Sequence, residues 1–246
     1  MHLENSKEWF STWFNSPYYH LLYDNRDERE AEDFLKNLVS HLKIESKQKV
    51  LDLACGAGRH SIVLSELGLV VEGCDLSPNS IVEAQSKSKN TIPFFVHDMR
   101  NPLDNKYDFI LNLFTSFGYF DNLDDNLKVL NSINDALNPH GIVVIDFMNA
   151  EKVIRDLKLR QEIKKGEVLF SIKREVTNQR IIKSIAFQDK GQSFFYQEKV
   201  QALTLSDFKE LFQQANFELL ETFGSYQLES FDASSSDRLI CICKKA

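Results

Sequence analysis

Two glycines and two acids lie close together in the chain, in an order that could bind a small molecule. An apolar run containing Asp52 leads to Gly56 and Gly58, and a second apolar run ends at Asp75. Because glycine has no Cβ, a loop built on it can approach a ligand closely at the N-terminus of the next helix. A carboxylate at the end of the following strand can accept both hydroxyls of a ribose. The pattern predicts a site for a ribose-containing cofactor.

Two kinds of ribose cofactor compete for this site. A dinucleotide fingerprint requires a small residue three positions after the second glycine, where this chain has Ser61. Asp52 would repel a pyrophosphate but attract the ammonium of a methionine-like tail. The charge therefore favours S-adenosylmethionine over NAD. An acid inside a strand also needs a partner to offset its desolvation, so we assign Asp52 to the cofactor's amino group, directly or through water, and to orienting the loop.

In its D-x-x-C-G-x-G loop and the acid after the second strand, the chain resembles the class I S-adenosylmethionine-dependent methyltransferases. Asp98-Met99 resembles the family's adenine-binding segment, in which an acid accepts from the adenine amino group beside a backbone amide. The resemblance covers residues 18–150 and extends to 200–243. It implies S-adenosylmethionine as cofactor and a surface built by these residues: Ala54, Gly56, Gly58, Asp75, Leu76, Asp98, Met99 and Leu113.

The resemblance also implies the fold, a doubly wound α/β fold with a mainly parallel seven-stranded sheet, the Rossmann-like methyltransferase fold. The alternation of short apolar runs with helical patterns agrees with this class. We expect N-terminal helices and a lid in 1–45, the cofactor-binding core in 46–160, and a C-terminal helix with the last two strands in 206–246. Alternating apolar residues in 161–205 predict an antiparallel insert of three strands above the face where the acceptor enters.

The N-terminal segment carries an aromatic stripe at helical spacing, formed by Trp9, Phe10, Trp13 and Phe14. After it, Tyr19 and Tyr23 resemble a Tyr-x-x-x-Tyr segment that closes over the methionine end of the cofactor in related enzymes. A packing role for the two tyrosines stays open.

An already activated sulfonium methyl needs mainly a positioned acceptor and exclusion of water, and a nearby carboxylate would help an acceptor to lose a proton. Asp146 and Asn149 follow the fifth apolar run and are the first candidates for holding the acceptor. Tyr119, from the loop after the fourth strand, and Arg174, from the insert, are the others.

Composition excludes several classes of partner. The net charge of −7 disfavours a nucleic-acid surface, and no apolar run is long enough for a membrane span, so we expect a cytoplasmic protein. The four cysteines are not spaced as metal ligands, and we expect free thiols and no metal. The insert and the aromatic stripe leave a homodimer open.

These observations predict an S-adenosylmethionine-dependent methyltransferase that acts on an unidentified small molecule by direct in-line transfer. The loop after the fourth strand and the insert resemble, more weakly, bacterial enzymes that include amino-sugar N-methyltransferases. Two alternatives stay open, a non-catalytic S-adenosylmethionine-binding module and an NAD-dependent oxidoreductase.

Overall fold

The structure is a computed structural model and describes residues 8–23 and 28–246. Its helices are α1 (Trp9–Trp13), α2 (Pro17–Leu22), α3 (Glu28–Leu42), α4 (Arg59–Glu66), α5 (Pro78–Lys87), α6 (Leu123–Ala136), α7 (Ala150–Arg155) and α8 (Leu205–Gln214). Its strands are β1 (Lys49–Leu53), β2 (Val70–Asp75), β3 (Phe94–Val96), β4 (Tyr107–Asn112), β5 (Leu137–Met148), β6 (Arg160–Lys165), β7 (Val168–Thr177), β8 (Arg180–Asp189), β9 (Gln192–Gln201), β10 (Phe217–Phe223) and β11 (Arg238–Lys245).

The main sheet has seven strands in the order β10-β11-β5-β4-β1-β2-β3. Strands β1 to β5 run parallel, and β11 lies antiparallel between β5 and β10. This arrangement confirms the predicted α/β class and the mainly parallel seven-stranded sheet. The carboxyl ends of the parallel strands form one edge, which is where such sheets bind ligands.

Helices cover the main sheet on both faces. Side chains of a strand alternate between faces, so neighbouring Val50 and Leu51 belong to different apolar clusters. One cluster packs β1 against α3, α4 and α5, and the other packs it against α6 and α8. Among the described residues, no helix combines the length and the apolar composition that a bilayer-spanning helix needs.

The prediction of a three-stranded insert is wrong by one strand. The insert is a separate antiparallel sheet in the order β6-β7-β8-β9, and β6 is the strand that the sequence pattern did not indicate. Strand β6 is an edge strand, mostly exposed to solvent, and only Ile163 within it is apolar. Ile163 is paired with Phe170 of β7. A strand that buries one side chain has no apolar alternation to detect.

The N-terminal helices pack on the insert. Trp13 of α1 and Leu22 of α2 share an apolar cluster with Phe170, Ile185 and Phe187 of the insert. The segment after the aromatic stripe forms a helix of its own, α2, whose N-cap Ser16 accepts from the backbone N–H of Tyr18. The insert therefore serves as the platform for α1 and α2.

Candidate functional site

A cavity of about 720 Å³ opens at the carboxyl ends of the parallel strands. The structure brings many of the residues predicted from the sequence to its wall: Tyr19, Tyr23, Ala54, Gly56, Asp75, Leu76, Asp98, Met99, Leu113 and Tyr119. They come from the N-terminal helices and from the ends of four strands, so they are distant in sequence but converge on one space.

Asp75 holds the glycine loop in place at this cavity. Its carboxylate accepts from the backbone N–H of Gly56 and from that of Ser77, each at 2.8 Å. Gly56 has a φ of +56°, a conformation that favours glycine. Burial raises the pKa of Asp75, and the two backbone N–H groups act against that rise. Each carboxylate oxygen has lone pairs beyond the one it uses here, so Asp75 can also accept from a ligand hydroxyl.

Gly58 is a glycine for a different reason. It is not part of the cavity wall, and a Cβ at this position would lie 2.9 Å from both the Ala84 Cβ and the Phe94 Cζ atoms. Its φ of +78° also places it in the left-handed region as the N-cap of α4. Close packing of the start of α4 against α5 and β3 is sufficient to require glycine here.

Asp52 lies behind the glycine loop and not on the cavity wall. Its side chain is buried and accepts from the Ser61 hydroxyl at 2.6 Å, which ties β1 to the first turn of α4. Burial raises the pKa of Asp52 to about 6. The structure thus supports the part of our prediction in which Asp52 orients the loop. It also gives Ser61, the residue that argued against a dinucleotide, a role as its hydrogen-bond partner.

Asp98 reaches the cavity wall in a fixed, ionised form. Arg100 donates to both carboxylate oxygens, with Nε 3.0 Å from Oδ1 and Nη2 2.5 Å from Oδ2. Burial acts to raise the pKa of Asp98, but the hydrogen bonds and charge of Arg100 outweigh it and hold the pKa below its usual value. Arg100 also pairs with Glu8, immediately before α1, at 2.6 Å. We did not predict a role for Arg100. Its position two residues after Asp98 is the one signal in the sequence that could have indicated this ion pair.

Tyr119 lies on the wall with its hydroxyl turned away. The hydroxyl donates to the backbone oxygen of Thr115, and the ring packs against Phe14 and Trp9 of the N-terminal segment at centroid distances of 5.3 and 5.4 Å. Tyr119 therefore presents its ring to the cavity. The sequence pattern identifies Phe14 and Trp9 only as members of the aromatic stripe, since spacing does not reveal their contacts with Tyr119.

Asp146 is not part of the cavity wall. It is fully buried, and Arg238 lies 2.7 Å away. The carboxylate also accepts from the backbone N–H of Phe114 at 2.8 Å, at a point where Phe114 and Thr115 both have positive φ values, +57° and +62°. The side chain holds the loop after β4 in this conformation, and the ring of Phe114 forms part of the wall.

Asn149 and Arg174 also lie away from the cavity. Asn149 is buried and donates to the backbone oxygens of Ala233 and Ser236 at 2.9 and 2.8 Å. Arg174 donates to the backbone oxygen of Lys158 and to the side chain of Gln161, both at the outer edge of the insert. Neither side chain is on the wall, so Tyr119 is the one predicted acceptor-binding residue that the structure brings to the cavity.

Comparison with known proteins agrees with this geometry. A family model described as "Methyltransferase domain" matches residues 23–222. A putative methyltransferase YqeM of Bacillus subtilis (strain 168) is 33% identical over 114 residues, which are 45% of this chain and 46% of that protein. The chain therefore matches less than half the length of that relative. A glycine/sarcosine N-methyltransferase of Parasynechococcus marenigrum (strain WH8102) is 26% identical over 83% of this chain and 74% of its own length.

Solved structures share the fold. An S-adenosylmethionine-dependent methyltransferase from Clostridium acetobutylicum ATCC 824 superposes with a TM-score of 0.79 at 19% identity, covering 92% of this chain and 95% of its own. CalS10, an amino pentose methyltransferase from Micromonospora echinaspora solved with bound S-adenosylmethionine, superposes with a TM-score of 0.69 at 16% identity. The superposition covers 94% of this chain and 98% of CalS10. The family match spans most of the chain, and the chain belongs to the class I S-adenosylmethionine-dependent methyltransferase family.

Proposed function

We propose that the 720 Å³ cavity binds S-adenosylmethionine and that the chain transfers the methyl group to a small-molecule acceptor. One observation carries the proposal: Asp75 holds the glycine loop through the Gly56 N–H at 2.8 Å while lying on the cavity wall. A glycine loop fixed by an acid at the carboxyl end of β2 is the arrangement that a ribose needs.

The residues on the wall fit the parts of this cofactor. Asp75 would accept from the ribose hydroxyls, and the ionised Asp98 would accept from the adenine amino group between the apolar side chains of Leu76 and Met99. A Cβ on Gly56 would meet no protein atom within 4 Å, so the loop leaves space on its cavity side. The wall carries five acidic residues against two that are lysine or arginine, and this excess of acids suits a ligand that carries positive charge.

When bound, S-adenosylmethionine supplies a sulfonium methyl that an acceptor can displace in line. The chain then has to hold the acceptor close to that methyl and keep water away. Tyr19, Tyr23 and Tyr119 bring aromatic rings to the cavity wall beside the glycine loop and would exclude water there.

The size and charge of the site favour a small acceptor. A cavity of about 720 Å³ lies within the range of sites for small molecules, and the net charge of −7 disfavours a polyanion. Two of the compared proteins carry names that specify small acceptors, glycine or sarcosine in one and an amino pentose in the other.

Isothermal titration of the purified protein with S-adenosylmethionine, S-adenosylhomocysteine and NAD tests the cofactor. We expect micromolar binding of the first two and no response to NAD. Binding of NAD alone would refute the proposal. Transfer of labelled methyl from S-adenosylmethionine into a pool of small metabolites then separates an enzyme from a non-catalytic binding module, since a module would bind the cofactor and release no S-adenosylhomocysteine.

A further inference from the structure

A smaller cavity of about 80 Å³ adjoins the large one and is lined mainly by aromatic rings. The rings are Trp9, Phe14, Tyr19, Tyr23 and Tyr119, and we call these five residues the aromatic cage. All of them except Trp9 also line the large cavity, so the cage forms the continuation of that cavity beneath the N-terminal helices.

The rings of the cage touch one another and pack at the margin of two apolar clusters. Phe14 lies 4.9 Å from Tyr19 and 5.3 Å from Tyr119, measured between ring centroids, and Trp9 lies 5.4 Å from Tyr119. Each cage residue is only partly buried, whereas Phe10 and Trp13 of the same short helix are buried in apolar clusters. Phe10 and Trp13 are therefore more deeply buried than Trp9 and the adjoining Phe14, which line the 80 Å³ cavity. Phe10 also reaches the wall of the large cavity.

One carboxylate lies on the same wall. Glu198 of β9 accepts from Tyr23 Oη at 2.5 Å and from Trp13 Nε1 at 2.8 Å, and Lys183 lies 3.5 Å from its other oxygen. These contacts fix Glu198. Lys183 offsets part of its charge, donates to Tyr23 Oη, and lies with its Nζ atom 4.5 Å from the centroid of the Tyr23 ring. Among the described residues that line the 80 Å³ cavity, none is a lysine or arginine. One ring of the cage, that of Tyr23, already binds the ammonium group of Lys183, and aromatic faces in general attract cations.

We propose that the aromatic cage binds the alkylammonium group of the acceptor, so that this methyltransferase acts on an aliphatic amine. The inference rests on the proposed function, because it assigns the acceptor end of the same site. In the reaction the free amine, having lost its proton to water, attacks the methyl carbon. A C–N bond forms and the C–S bond breaks with its electron pair left on sulfur. Positive charge thus moves from sulfur to nitrogen, towards the rings that stabilise it.

Intrinsic fluorescence offers a direct test, because the two tryptophans of the chain, Trp9 and Trp13, both lie at the cage. The protein is saturated with S-adenosylhomocysteine, whose sulfur is uncharged, and titrated with choline and with 3,3-dimethyl-1-butanol, a neutral molecule of the same shape. We expect choline to bind at least about tenfold more tightly. Equal affinity for the two ligands, or no choline binding, would overturn the proposal.

Matched variants locate the binding. Phe14→Leu and, separately, Tyr19→Leu keep an apolar side chain but remove a ring face, and each should reduce choline affinity about fivefold to tenfold. Phe195→Leu makes the same kind of change on the exposed outer face of the insert and should leave choline affinity unchanged. Circular dichroism shows which variants fold. If the folded cage variants bind choline as the unaltered protein does, the cage is not the site.

The same titrations separate this proposal from the proposed function. Choline that competes with S-adenosylmethionine but does not bind beside S-adenosylhomocysteine would mean that the rings face the sulfonium, which refutes the acceptor assignment alone. A protein that binds choline selectively but binds neither cofactor form would refute the methyltransferase site and keep the cation site.

Discussion

Asp146 and Arg238 form a buried ion pair between β5 and β11, with Arg238 Nη2 2.7 Å from Asp146 Oδ1. Burial raises the pKa of Asp146, and the charge of Arg238 acts against that rise. The carboxylate also binds the backbone N–H of Phe114, whose ring lines the cavity. Strand β11, the last strand along the chain, is thereby connected to the loop that borders the candidate cofactor site.

Removing one partner of this pair should destabilise the protein strongly. Arg238→Met leaves the Asp146 carboxylate buried without its cation, and we expect a loss of about 3 to 5 kcal/mol in the free energy of unfolding. Urea denaturation measures this loss. Arg155→Met is the matched control, because Arg155 pairs with Asp156 on an exposed surface and its loss should change stability far less than Arg238→Met does. Similar losses in both variants would contradict the prediction.

Substituting each glycine of the loop should give different results. Gly58→Ala should lower the thermal unfolding temperature strongly, since its Cβ would lie 2.9 Å from Ala84 and Phe94 atoms. Gly56→Ala meets no such neighbour, and its φ of +56° should cost only about 1 to 2 kcal/mol. Its Cβ should instead weaken S-adenosylhomocysteine binding. Thermal scans with and without S-adenosylhomocysteine compare the two, and a larger stability loss in Gly56→Ala would show the assignment to be wrong.

Asp75→Ala should weaken S-adenosylmethionine binding by about 1 to 3 kcal/mol, because the ribose hydroxyls and the Gly56 N–H both lose their acceptor. Isothermal titration provides the measurement. Asp104→Ala removes the same charge from an exposed loop position and should leave affinity unchanged. Unchanged affinity in Asp75→Ala would remove this residue from the cofactor site.

Asp52 should make stability depend on pH. Burial raises its pKa from 3.8 to about 6, so between about pH 4 and 6 the folded protein retains a proton that the unfolded chain has lost. Its contribution therefore falls as pH rises through this window, by about 3 kcal/mol in total. Asp52→Asn should remove this part of the slope. Urea denaturation from pH 4 to 7 tests the difference, and parallel curves for the two proteins would refute it.

The cofactor end of the site was predictable because its signals are local. Gly56 and Asp75 occur at spacings that a strand, a loop and a helix impose, and the ends of parallel strands meet at one edge. The same reasoning placed Asp98 and Leu113 correctly on the cavity wall. Gly58 and Asp52, also expected at the cofactor, lie off the cavity wall, and their contacts with Phe94 and Ser61 depend on packing that the spacing does not reveal.

The acceptor end could not be predicted in this way. We expected Asp146 to follow the fifth apolar run, but it lies inside β5, and its partner Arg238 comes 92 residues later in the chain. Asn149 likewise binds a segment far along the chain. Glu198 lies in the insert, and its partners Trp13 and Tyr23 lie in the N-terminal segment. No local sequence spacing connects Glu198 with these partners.

Glu198 accepts from Trp13 and Tyr23, so the insert determines how the N-terminal helices sit over the site. The main sheet, by contrast, carries Asp75 and the glycine loop without help from the insert. If the proposed sites are correct, substitutions in β8 and β9 can therefore remodel the proposed acceptor wall while the proposed cofactor end keeps its geometry. In evolutionary terms, acceptor choice can diverge in such a protein independently of the methyl donor, and selection for a new acceptor would be recorded first in the insert.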